Sequence, residues 1–463
     1  MLIRFTVGNF LSFNENQEFS MIAEDLGNNK LNHLYKDDFI ELLKFSSVFG
    51  ANASGKSNLV YAMNFAQYMI INDFPKNSIF SYYKLLEENK EKSSYFEFEI
   101  KVANKYYAYG FEVILSKQTI ISEWLYELSP TNDNIKIFTR DILKGEYVIE
   151  NYFNNKIIEE KLNFYANDIK SDGSILLLRE LNRNKDTLYE ENEELNIFRE
   201  IFNWFKKQLN IKFPNRPISN YPYFISTENF KNICAMLSAF GTGITNYDVV
   251  EINYEKVASD VPDEILQDII VKLNNIRINE KENDYKIELY KLFLRGSKSL
   301  YIFEIDPSKN DEQCIIYKTI QFNHGNSRVF FDLHEESDGS IRLLDLLSIL
   351  FENKSGTIFV IDEIDRCLHP QLTYKFITEY FKSVLNKEIQ LIVTTHESRL
   401  LDFNLLRKDE IWIINKKNSG ESIIYSLAEY NDEFDNKIEK AYLEGRYGGV
   451  PVFSAIFPNQ EEG

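Results

Sequence analysis

The sequence predicts an α/β fold: a parallel sheet with helices between its strands, an antiparallel β subdomain and an inserted helical subdomain. Three observations predict it. A glycine-containing loop from Gly50 to Ser57 stands between an apolar β-type run and a run of helical periodicity. Residues 94–128 read as successive strands joined by turns. From residue 340 onward, helix and strand patterns alternate, the mark of parallel α/β architecture.

Leu2 to Val7 alternates as a strand, and Phe45 to Phe49 is a compact apolar strand that stops at Gly50. Leu59, Val60, Met63, Phe65, Ala66, Met69 and Ile70 then recur at helical spacing. SYFEFEI, YYAYGFEVIL and ISEWLYEL form the antiparallel meander. Residues 176–300 carry amphipathic helices, such as PDEILQDIIVKLNNI, without sustained heptads. Beyond them come helix IRLLDLLSILF, strand TIFVID, helix QLTYKFITEYFKSVL and strands IQLIVTT and EIWIIN. The expected division is therefore 1–175 for the first half of one nucleotide-binding domain, 176–300 for a helical insertion and 301–463 for the second half.

Composition narrows the classes. The chain has 463 residues, with 52 Lys and Arg against 71 Asp and Glu, a net charge of −19. That balance excludes a surface that coats nucleic acid indiscriminately, because phosphate repulsion opposes it. Apolar runs fall short of the roughly 20 residues of a membrane helix. The three cysteines, Cys234, Cys314 and Cys367, are far apart and form no CxxC pair, which points to a reducing cytoplasm.

Gly50-Ala51-Asn52-Ala53-Ser54-Gly55-Lys56-Ser57 fits G-x-x-x-x-G-K-[ST], and Asn58 follows it. Such a loop turns successive backbone N–H groups onto phosphate oxygens, and the helix behind it adds its N-terminal dipole. Lys56 is expected between the β- and γ-phosphates of ATP, with Ser57 a ligand of Mg²⁺. A second acidic signal is the strand Thr357–Ile361, which ends in Asp362-Glu363. Alone, it would read as a solvated strand end. Joined to the phosphate loop, Asp362 reads as a Mg²⁺ holder and Glu363 as the residue that polarises the attacking water. Strand Ile389–Thr395 ends at His396, and ligands of open α/β sheets lie at the carboxyl ends of strands, so His396 is placed at the γ-phosphate. Ser337 and Gly339, in Glu336-Ser337-Asp338-Gly339-Ser340, precede an apolar helix and offer either a plain cap or a second anion site.

GANASGKSN, ESDGSIRLLDLL, TIFVIDEIDRCLHP and TTHESRLL together resemble the ATP-binding-cassette heads of the RecF/SMC/OLD class. NFLSF, ISEWLYEL and YLEGRYGGVP narrow the likeness to RloA-type bacterial defence ATPases, including the AriA-like subunits of PARIS-like systems. The resemblance implies a head-to-head homodimer with two ATPs, each held between Lys56, Asp362 and Glu363 of one copy and Ser337 and Gly339 of the other. It places Asp365 in the loop that bridges the two sites. It also implies a role in sensing infection, triggered by a phage protein, and in controlling a separate toxic effector, a TOPRIM-like or other nuclease. OLD-type proteins carry their own nuclease domain; the short stretch after His396 leads us to expect the effector on another chain. Where RecF and SMC proteins usually carry Arg or Lys after an Asn-Phe-like pair to contact the nucleotide, Leu11 and Ser12 follow Asn9-Phe10 here. Gln67 and Gln118 are the candidates for the glutamine that links Mg²⁺ to the lobe interface in these heads. The competing reading is a RecF-like repair ATPase that binds DNA directly.

Three segments have no assigned chemistry. His369-Pro370 reads as a helix start. Phe205-Lys206-Lys207, Lys212 and Arg216 read as a solvated basic face. Residues 444–451 are rich in turn formers and dock either on the core or on a partner.

Overall fold

The computed structural model describes residues 1–26, 30–37, 39–129, 133–149, 152–153, 155–190, 192–215, 227–282, 291–305, 314–326, 328–430 and 438–450. The chain forms two compact units: Met1–Arg216 with Glu352–Asp365 and Phe376–Gly463, and Pro217–Phe351 with Arg366–Lys375.

The first unit holds the parallel sheet. Its strands are β1 (Phe45–Phe49), β2 (Leu209–Lys212), β3 (Ile358–Ile361), β4 (Gln390–Thr394), β5 (Ile411–Lys416) and β6 (Ser422–Ser426), in the spatial order β2-β3-β4-β1-β5-β6. All neighbours are parallel except the β5–β6 hairpin. Every residue of β1, β3 and β4 is buried, which is why these runs read as continuous apolar strands with no alternation. Helix α1 (Lys56–Ile71) follows β1 and buries Leu59, Val60, Met63, Phe65, Ala66, Met69 and Ile70, the positions that the periodicity marks.

The predicted meander belongs to a seven-stranded antiparallel sheet in the same unit. Ser94–Val102, Lys105–Ile114 and Thr119–Leu128 are its centre, extended by Ile135–Asp141 and Glu146–Ile149 on one side and by Leu2–Gly8 and Gln17–Ser20 on the other. One apolar cluster joins this sheet to α1 and to the segment after residue 175, through Phe96, Phe98, Phe65, Leu178, Trp204 and Phe205.

The second unit contains a sheet of Asn246–Ile252, Ile315–Asn323, Leu300–Ile305 and Lys291–Arg295, with Phe331–Asp332 paired to Ile315–Asn323. Helices Thr227–Ala239 and Asp263–Glu282 and helix α2 (Asp338–Leu350) accompany it. The structure thus divides the chain elsewhere than at 176 and 300. The short helices between Leu177 and Gln208 belong to the first unit, and the second unit is mixed α/β. Amphipathicity reports that a helix has an apolar face; it does not report which core covers that face.

Candidate nucleotide-binding site

The site is built where β1, β3 and β4 end side by side. Beyond Phe49 the chain turns through Gly50 to Gly55, with Ala53 at φ 62° and Gly55 at φ 117°. A Cβ on Gly55 would stand 2.5 Å from Ser422 Oγ and 2.8 Å from Ser12 Oγ, so glycine is required there by both backbone and space. Helix α1 begins at Lys56 with no side-chain cap, which leaves its first N–H groups for an anion.

Lys56 is 5% exposed, and its Nζ donates to Gly50 O at 2.7 Å and Ala51 O at 3.0 Å. Burial lowers its pKa to about 8, opposed by the carboxylates of Asp362, Asp365 and Glu363. His396 Nδ1 lies 3.5 Å from Lys56 Nζ. Burial and the Lys56 charge hold His396 below its ordinary pKa, so the ring is neutral at pH 7. A neutral imidazole beside an ammonium suits a partner that brings negative charge to both.

The acidic pair is held by one hydroxyl. Thr394 Oγ1 donates to Asp362 Oδ1 at 2.6 Å and accepts from the Glu363 N–H at 2.8 Å. Asp362 Oδ1 also accepts from Ser57 Oγ at 3.1 Å. Its N–H is tied to Lys212 O on β2. Glu363 sits at φ 50°, a left-handed turn that redirects the chain straight after the strand. Asp365 accepts from the His396 N–H at 3.3 and 3.4 Å. The structure therefore brings Lys56, Ser57, Asp362, Asp365 and His396 into one cluster.

Ser57 Oγ and Asp362 Oδ1 are hard oxygen donors at contact distance, the donor type Mg²⁺ takes. No group of three His, Cys, Asp or Glu side chains suited to a metal occurs among the described residues. Ser57 and Asp362 would hold such an ion by two oxygens, and phosphate and water would supply the rest.

Ser337 and Gly339 lie in the second unit. Ser337 caps α2, its Oγ accepting from Ser340 N at 3.1 Å, and Gly339 stands in the first turn, where a Cβ would meet Cys367 O at 2.9 Å. The two glutamine candidates lie in different elements of the first unit. Gln67 donates to the carbonyls of Phe205 and Leu209, both at 2.7 Å, and so clamps α1 to the π-turn Trp204–Gln208 that leads into β2. Gln118 sits at φ 49° in a turn of the antiparallel sheet. Pro370 opens helix Pro370–Ser383, with Gln371 N–H bonded to His369 Nδ1, as a helix start requires. Lys206 and Lys207 are exposed, while Phe205 is fully buried; Arg216 lies outside the described residues.

Three contributions escape a reading of the sequence. Thr394 is one; a hydroxyl as the last residue of an apolar strand is its signal. Ser422, whose Oγ donates to Ser54 O at 2.5 Å, is another. The third is the place where the turn-rich segment after residue 441 packs: of the two surfaces the sequence left open, it meets the core. Tyr442 OH donates to Gly449 O at 2.8 Å, and Tyr442 stacks edge-on against Phe49. A Cβ on Gly449 would lie 3.4 Å from Gly50 Cα and 2.7 Å from Ile413 Cγ2, with φ at +68°. Gly449→Val is therefore expected to cost about 1–3 kcal/mol from backbone strain. It should also weaken ATP binding, visible as a lower melting temperature and a smaller ATP-induced shift.

A profile of the family described as "AAA domain, putative AbiEii toxin, Type IV TA system" matches residues 45–402, well over half of the chain and all of the strand ends above. The chain belongs to this AAA-domain family. The family implies ATP binding, typically with a divalent metal. No curated protein matches it. Among solved structures, the AAA-domain chain is similar to an SMC head bound to the C-winged helix domain of ScpA, at 13% identity and a TM-score of 0.42, covering 92% of this chain and 97% of the other. It is similar also to the SMC head domain from Thermotoga maritima, at 13% identity, TM-score 0.36 and coverage of 92% and 98%. An SMC head with an extended coiled coil, bound to the C-terminal domain of ScpA and derived from Pyrococcus furiosus, matches at 12% identity, TM-score 0.31 and coverage of 92% and 96%. These scores are too low to place any residue by analogy. No helix among the described residues is long and apolar enough to cross a membrane.

Proposed function

We propose that this AAA-domain protein hydrolyses ATP between two head-to-head copies of itself, and that it acts in anti-phage defence as an RloA-type ATPase. Lys56 holds the β- and γ-phosphates, and Ser57 and Asp362 hold Mg²⁺, which neutralises phosphate charge. Glu363 takes a proton from the water that attacks the γ-phosphorus as the bond to the β–γ bridging oxygen breaks. His396 contacts the γ-phosphate. Ser337 and Gly339 of the second copy close over the same phosphate, and Asp365 connects the two sites. Binding of a phage protein shifts this cycle and releases a separate toxic effector, a nuclease in the favoured reading. The observation that carries the catalytic part is the single Thr394 hydroxyl that fixes Asp362 and the Glu363 backbone beside Ser57. The defence part is supported by the family description, which names a putative toxin of a Type IV TA system. The reading with direct DNA binding gains no support, because Phe205 is buried and unavailable for stacking on a base.

A mixing experiment tests the shared site. Lys56→Ala and Ser337→Arg proteins are each expected to be inactive in phosphate release. Combined in equal amounts, they should recover up to roughly a quarter of wild-type turnover, because random pairing rebuilds one intact site in half of the dimers. Absence of any recovery, with both proteins folded, would overturn the shared site.

A further inference from the structure

The turn that carries Ser337 and Gly339 is held from three sides within the second unit. From the helix, Ser340 N–H donates to Ser337 Oγ at 3.1 Å, and the two serine hydroxyls meet at 2.9 Å. Against Gly339 lies the Cys367 carbonyl, 2.9 Å from where a Cβ would stand. On the third side is Glu336, whose side chain is only 3% exposed. Its carboxylate meets His324 Nε2 at 2.8 Å, its partner among the described residues. His324 directly follows strand Ile315–Asn323, and several contacts fix it there. The ring stands edge-on to Phe331 at 5.3 Å, and a Cβ on Gly243 would come within 3.1 Å of its Nδ1. Asn323 folds the turn behind it, donating to Val329 O at 2.8 Å and accepting from the Gly325 N–H at 2.9 Å.

We propose that His324 is a positioning residue for the half of the shared site that each copy lends to the other. The inference rests on the reading of Ser337 and Gly339 as the residues that close over the second copy's phosphate. A buried carboxylate needs a partner, because stripping it of water without one is costly. Glu336 also precedes the cap of α2 by one residue, close to first-turn N–H groups that have no acceptor within the helix. Left to itself, that carboxylate would turn back onto those donors, as acidic side chains do at helix N-termini, and would oppose an incoming phosphate. The imidazole draws it aside. His324 thus fixes the turn and leaves the first-turn donors to the phosphate. It acts through Glu336 and belongs to the second unit, whereas Lys56, Ser57, Asp362 and His396 belong to the first. Its loss should therefore spare the half of the site that a copy builds for itself.

His324→Phe keeps the ring and removes the donor. Phosphate release should fall about tenfold or more, the worth of one hydrogen bond to a charged group. Mg-ATP affinity, measured at protein concentrations too low for pairing, should stay within about twofold of wild type. Mixing locates the lesion. Combined in equal amounts with Lys56→Ala, His324→Phe should recover up to roughly a quarter of wild-type turnover, because mixed pairs rebuild one complete site. Combined with Ser337→Arg it should recover nothing, because both copies then lack the same half. A stranded Glu336 can itself unfold the turn, so His324→Phe with Glu336→Met, which buries no charge, is measured alongside. The double variant should give the same two mixing results. Wild-type turnover in either variant would overturn the proposal, as would recovery with Ser337→Arg or loss of Mg-ATP binding by the double variant. Failure of Lys56→Ala and Ser337→Arg to complement each other would instead sink the shared site, and this inference with it.

Discussion

Glu363→Gln is expected to keep ATP binding while cutting turnover by about 10²–10⁴-fold, the usual contribution of a positioned general base. The amide has the shape of the carboxylate and preserves the backbone at φ 50°, so the Thr394–Glu363 N–H bond survives. What is lost is the proton acceptor. With hydrolysis blocked and Lys56, Ser57 and Asp362 intact, ATP-bound dimers should accumulate, doubling the mass seen in sedimentation. Unchanged phosphate release would remove Glu363 from catalysis. A variant that stays single-copy in saturating ATP would remove the dimer.

Arg140→Met should destabilise the first unit by about 3–5 kcal/mol, the cost of stranding one partner of a buried ion pair. Arg140 and Glu123 both have fully buried side chains and lie 3.1 Å apart. Arg140 also donates to Ile169 O at 2.9 Å and Ile175 O at 2.5 Å. Glu123 accepts from Tyr109 OH at 2.9 Å and from the N–H groups of Leu177 and Leu178 at 2.7 and 3.1 Å. The pair thus pins residues 169–178 to the antiparallel sheet. Truncation leaves Glu123 without its counter-ion and takes the guanidinium donors away from the Ile169 and Ile175 carbonyls. A urea titration of the full chain should show the loss. The double variant Arg140→Met, Glu123→Leu should lose less than the sum of the single changes, since it strands no charge.

Much of the site was legible because its residues occupy fixed offsets from strand ends. Gly50 to Ser57, Asp362, Glu363 and His396 each follow a run whose apolar character marks a buried strand. The lateral order of those strands was not legible, since β2 reaches the edge beside β3 from residue 209, far from it in sequence. The block after residue 175 was misdivided for a related reason. Trp204 and Phe205 look like the apolar stripe of an independent helix, yet they complete the core under the antiparallel sheet. Thr394 went unremarked because two hydroxyls, Thr394 and Thr395, close the strand, and the sequence does not say which one meets the acids.

The contact of Gly449 behind Gly50 makes the two ends of one lever out of segments almost the whole chain apart. Any molecule that grips residues 442–449 and pulls that turn away changes the backing on which the triphosphate cradle rests. By thermodynamic reciprocity, whatever such a ligand does to nucleotide affinity, the nucleotide does in equal measure to the ligand. Fuel state and grip on this tail are then one variable, readable from either side.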